Sequence, residues 1–78
     1  MDFPQYRCYN TKTSYFKILN ERSFIEIQRV GDKLVVYEIH ATQYPEMLRI
    51  MDMLDLKLAG IELVDQEVVE ELLRSDPA

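Results

Sequence analysis

Any chemistry in this chain has to start from two solitary side chains, Cys8 and His40, the one cysteine and one histidine among its 78 residues. Glu38 precedes His40 by two positions, and residues i and i+2 of a strand share a face, so the pair has the spacing of an oriented imidazole for acid–base work. With the Cys8 thiol they outline a small enzyme or small-ligand site built on His40, Glu38 and Cys8. Each also has a plainer reading. A reactive thiol needs a base or a helix N-terminus beside it, and the sequence around Cys8 offers neither; a free strand cysteine ordinarily packs as a small hydrophobe. His40 falls at the end of a strand, where an imidazole is simply solvated. No catalytic residue is assigned.

Other constellations are thinner. Zinc sites want several His or Cys ligands, and one of each is too few. Asp52 and Asp55 lie three apart on one helical face, which suits a cation, but no third oxygen donor or glycine loop accompanies them. Gly31 and Gly60 are the only glycines, so no phosphate-cradling loop can form. Neither a metal nor a cofactor is expected. Tyr6, Tyr9, Tyr15 and Phe16 interleave with Arg7, Lys12 and Lys17, a mixture found on sheets that stack single-stranded nucleic acid. A net charge of −5 opposes that reading, which ranks third, and no nucleic acid is expected as a partner. Met47, Met51 and Met53 read as core filler before they read as an adaptable groove.

The elements that position these residues come from one domain, residues 1–78. The apolar fraction of 47% is ordinary for a globular chain. At this size stability is marginal, and small folds are reinforced by disulfides, metals or association. With one cysteine and one histidine, association is left, so a homodimer is expected. Residues 1–40 carry six Lys/Arg and five Asp/Glu, net +1; residues 41–78 carry three and nine, net −6. The acidic half is a solvated surface or faces a basic protein partner. No apolar run approaches the roughly eighteen residues that span a bilayer. The N-terminus lacks the basic and apolar regions of a signal peptide, and the expected location is the cytoplasm.

The first forty residues read as strands: Tyr6–Tyr9, Ser14–Leu19, Ser23–Val30 and Lys33–Ala41. Gly31-Asp32 joins the last two as a two-residue type II′ turn, which wants glycine at its first position. That loop sets Val30 opposite Lys33, Ile27 opposite Val36 and Phe24 opposite Ile39. One face then holds Ile25, Ile27, Leu34 and Val36. The other holds Phe24, Val35, Tyr37 and Ile39, mixed with Glu26 and Gln28. A three-residue loop would instead gather Ile25, Ile27, Val35, Tyr37 and Ile39 on one side, but its glycine would come last. Two apolar faces mean that the second needs covering, by the N-terminal strand, a helix or another chain.

Tyr15-Phe16-Lys17-Ile18, Phe24-Ile25-Glu26-Ile27-Gln28, Gly31 and Lys33 resemble short uncharacterised proteins of Bacteroidetes. The similarity covers the strand-rich half. It implies a bacterial origin and no mechanism.

Helical spacing follows over Pro45–Ala59, through Met47, Leu48, Ile50, Met51, Leu54 and Leu58, with Thr42 as N-cap and Gly60 as the stop. Ile61–Val64 reads as a brief strand. Asp65 caps a closing helix, Gln66–Arg74, with Val68, Val69, Leu72 and Leu73 as its apolar stripe and Glu67, Glu70, Glu71 and Arg74 facing water. Ser75–Ala78 reads as a frayed tail. The expected fold is α+β: a mostly antiparallel four- to five-stranded sheet followed by two helices (ββββαβα), packed side by side on one face. The function expected is a small non-catalytic protein-interaction module that self-associates. Its self-association surface is Phe24, Val35, Tyr37 and Ile39.

Overall fold

The computed structural model describes residues 2–75, so residues 76–78 of the expected tail lie outside it. The element order is β1 (Gln5–Tyr9), β2 (Ser14–Asn20), β3 (Ser23–Val30), β4 (Lys33–His40), α1 (Tyr44–Leu54), β5 (Ile61–Leu63) and α2 (Gln66–Arg74). This is the ββββαβα, α+β arrangement. The five strands form one sheet in the order β4-β3-β2-β1-β5, every neighbouring pair antiparallel.

The β3–β4 hairpin takes the two-residue loop, with Val30 opposite Lys33, Ile27 opposite Val36 and Phe24 opposite Ile39. Gly31 supplies the positive φ of +64°, and Asp32 is not among the residues with positive φ, as a type II′ turn requires. That register carries across the sheet. Phe16, Ile18 and Phe24 fall on one face; Tyr6, Cys8, Tyr15 and Ile27 fall on the other.

Each face has its own helix, a correction to the side-by-side packing expected from sequence. α1 packs Ile50, Met53 and Leu54 against Phe16, Ile18 and Phe24. α2 packs Val69, with Leu72 and Leu73 partly buried, against Tyr6, Cys8, Tyr15 and Ile27. The physical reason is the hairpin itself. With apolar residues on both sides of the sheet, stacking both helices on one side would leave the other bare. The strand β5 makes this possible by joining the β1 edge, from which α2 returns over the opposite face.

α1 also ends earlier than Gly60. Leu56 takes the left-handed conformation, φ +58°, and the Leu56 and Lys57 amides donate to the Met53 and Asp52 carbonyls. That is the paired bonding of a Schellman motif, formed here without glycine. Its N-cap is Gln43, not Thr42, and Gln43 makes no side-chain capping bond; Pro45 sits in the first turn as expected. Asp65 occupies the N-cap position of α2, also without a side-chain bond. No helix among the described residues is long and apolar enough to cross a membrane.

Candidate functional site

The side chains that suggested catalysis are not brought together. Cys8 lies mid-strand on β1, fully buried under α2. His40 ends β4, three strands away and at the far end of the sheet, opposite Ser23. Strand spacing and rise put the two roughly 20 Å apart. His40 Nε2 stands 3.9 Å from Glu38 Oε1, both side chains 68% exposed, so the pair is a loose contact in water. Cys8 has other neighbours. Its thiol lies 3.9 Å from Glu62 Oε1 on β5 and 3.6 Å from Lys12 Nζ. Lys12 reaches there from a left-handed turn residue, φ +62°, and its ammonium bonds Glu62 at 2.5 Å, which holds it charged above the usual lysine range.

The aromatic residues are likewise taken up by packing. Tyr6 and Tyr15 are buried in the α2-side core. Tyr9 and Phe16 meet edge-to-face on the α1 side, with ring centroids 5.6 Å apart. Met53 is buried and Met47 partly so, while Met51 faces out. An open groove of about 570 Å³ lies among Pro4, Tyr6, Arg7, Leu63, Val64 and Val68. It sits at the β1–β5 side of the sheet, remote from His40. Among the described residues, no three His, Cys, Asp or Glu side chains gather as metal ligands.

Two polar clusters escaped sequence reading because their partners are far apart in the chain. Arg7, 5% exposed on the α1 face, donates from Nε to the Met53 carbonyl and from Nη2 to the Leu54 carbonyl, each at 3.1 Å. Burial lowers its pKa, and the negative end of α1 lies against the charge. On the other face, Glu70 Oε2 accepts from the Tyr6 hydroxyl at 2.5 Å and pairs with Lys17 Nζ at 2.7 Å. Glu70 therefore does not simply face water. Burial, then the bond to Glu70, pushes the Tyr6 phenol up to about 12; the bonds from Lys17 and Tyr6 hold Glu70 below its usual range. Both clusters are internal fastenings, with no open polar atom aimed at a ligand.

Among the described residues, what stays open is β4. It is an edge strand, eight residues long, with no proline and no register shift against β3. In a two-residue hairpin the residues flanking the loop exchange both hydrogen bonds. The pairs Val30–Lys33, Gln28–Val35, Glu26–Tyr37 and Phe24–Ile39 are then the bonded ones. Leu34, Val36, Glu38 and His40 turn their N–H and C=O groups away from β3. Of the expected association surface, Phe24 is 2% exposed and Ile39 packs partly against α1, both within the chain. Val35 is half-buried and Tyr37 is 45% exposed, beside the edge.

Comparison with protein-family models, curated proteins and solved structures finds no match to this chain. Its function is therefore read from its own geometry.

Proposed function

We propose that this protein is a non-catalytic interaction module that self-associates, using the free edge of β4 as its contact. The observation that carries this is the eight-residue edge strand with outward-facing backbone groups and the apolar centre Leu34-Val35-Val36-Tyr37. Natural proteins blunt such edges with proline, bulges, inward charges or a covering loop, because an open edge templates pairing with another strand. Here the charged and ionisable residues, Lys33, Glu38 and His40, sit towards the two ends of the strand, leaving its middle unguarded. α1 covers the face of Phe24 and Ile39 and α2 the face of Ile27 and Val36, so the reading rests on the edge and not on a bare face. Backbone pairing supplies affinity in this mode, and the flanking side chains supply selectivity.

The test is size-exclusion chromatography with light scattering over a micromolar concentration series. The expected result is a monomer–dimer equilibrium that Glu38→Pro abolishes. Proline there removes an N–H that points out of the sheet, so the intrachain ladder and the circular dichroism spectrum are retained. A strict monomer at high micromolar concentration, or a dimer indifferent to Glu38→Pro, overturns the proposal.

A further inference from the structure

We infer that the β4 edge receives the β4 edge of a second copy, antiparallel about a two-fold axis at Val36, with Val35 of each copy opposite Tyr37 of the other. This rests on the self-association reading and adds to it the occupant and the register.

The geometry restricts the choice sharply. Opposed residues in an antiparallel pair are either both bonded to each other or both not, so an outward-bonding residue must face another. Leu34, Val36, Glu38 and His40 therefore face members of the same set, and a symmetric pairing centres on one residue. Centring on Glu38 sets two carboxylates opposite each other, which is repulsive. Centring on Val35 shortens the pairing, because Asp32 already belongs to the turn, and brings that carboxylate towards Glu38. Centring on Tyr37 puts the Glu38 carboxylate opposite Val36, whose neighbour on β3 is Ile27, so no cation stands beside it.

Centring on Val36 pairs all seven residues from Lys33 to Ile39 with no like charges opposed. Val35 and Tyr37 then form two non-bonded pairs, where side chains come closest and β-branched–aromatic contacts are favourable. On the α2 face, Glu38 of one copy lies opposite Leu34 of the other, and Leu34 is already paired with Arg29. Arg29 is exposed and makes no salt bridge among the described residues. Its guanidinium can reach across Leu34 to Glu38 of the second copy, twice per dimer. The charges at the edge are thus complementary to themselves under this two-fold and under no other of the four. Two five-stranded sheets would join into one of ten strands. The contact is small beside the roughly 1,200–2,000 Å² of stable interfaces, so the dimer is a weak, exchanging one.

Cysteine pairing reads the register directly. Val35→Cys and Tyr37→Cys proteins are oxidised separately and as a mixture, with wild type as the control for buried Cys8. The mixture is expected to form a disulfide-linked heterodimer at least tenfold faster than either protein alone, since bridging fails once Cα atoms stand more than about 7 Å apart. Fast linking of Tyr37→Cys with itself places the axis at Tyr37 and overturns the register; fast linking of Val35→Cys with itself does so in favour of Val35. A dimer by light scattering that links in no combination overturns this register while self-association stands. A monomer overturns both. Arg29→Glu and Glu38→Arg should each weaken the dimer roughly fivefold, and the double exchange should restore it. Failure of the double exchange to restore it removes the Arg29–Glu38 contact from the inference.

Discussion

Glu70 is the residue whose environment most directly sets a measurable property of the protein. One carboxylate oxygen takes both the Lys17 ammonium and the Tyr6 hydroxyl, and this depresses its pKa below that of a free glutamate. A carboxylate with a lowered folded-state pKa contributes stability above its unfolded value and loses it as pH falls through the folded one. Tyr6 works in the opposite sense at the alkaline end. Its phenol ionises near 10 when unfolded and at about 12 when folded, so its contribution is complete below pH 10 and fades between 10 and 12. Glu70→Gln should therefore cost about 1 kcal/mol at pH 7, discounted because the site is part-exposed, and less at pH 2, where more of the carboxylate is protonated. Urea unfolding of both proteins at the two pH values checks this; an equal gap at each would mean that the carboxylate charge is not what fastens α2. None of this was legible in the sequence. The 3.6-residue stripe through Val69, Leu72 and Leu73 places Glu70 at the margin of α2, but Tyr6, 64 residues away, becomes its neighbour only through the sheet.

Among the elements, α1 and the β3–β4 hairpin differ in how local their instructions are. The hairpin is specified within four residues: glycine takes φ +64°, and an added Cβ there would meet no atom within 4 Å, so backbone conformation alone selects it. Register, and with it the sorting of Val36 to the face of Ile27 and of Ile39 to the face of Phe24, follows from that turn. The end of α1 is decided by residues outside the helix. Gly60 is the obvious local stop, yet the helix closes after Leu54, where Arg7 of β1 takes the last carbonyls and Leu56 adopts a left-handed turn. Arg7 has no carboxylate among its hydrogen-bond partners, so carbonyls and the helix dipole stabilise a buried cation. Arg7→Met keeps the volume and removes every donor. It should cost about 2 kcal/mol by leaving the buried Leu54 carbonyl without a donor, while the Met53 carbonyl keeps its bond from the Leu56 amide. Amide hydrogen exchange should then show the Leu56 and Lys57 amides losing protection before the α2 amides do. Unchanged protection at these two positions would assign the helix end to the Schellman bonds alone.

For the molecule as a whole, the decisive feature is a sheet with a helix on each side and one long edge left over. The sequence carries the reason for two layers, in the two apolar faces of the hairpin. It does not carry the choice of edge, because β5 is three residues long and pairs with β1 through non-local contacts. Had β5 joined β4, Val35 and Tyr37 would lie inside the sheet and the open strand would be β1. The same architecture makes a prediction about energetics. Ile50 and Val69 are both fully buried, but in separate clusters on opposite sides of the strands. Layers stack about 10 Å apart, so these two side chains share no partner and are separated by the sheet. Ile50→Val should cost about 1 kcal/mol and Val69→Ala about 2 kcal/mol, each leaving a small cavity in its own layer. The double variant should show the sum to within about 0.5 kcal/mol, as distant sites do. Equilibrium unfolding of the four proteins measures it. Helices packed side by side would share that cavity and give a clear coupling term, so a coupling above about 1 kcal/mol would contradict the two-sided arrangement on which the free β4 edge depends.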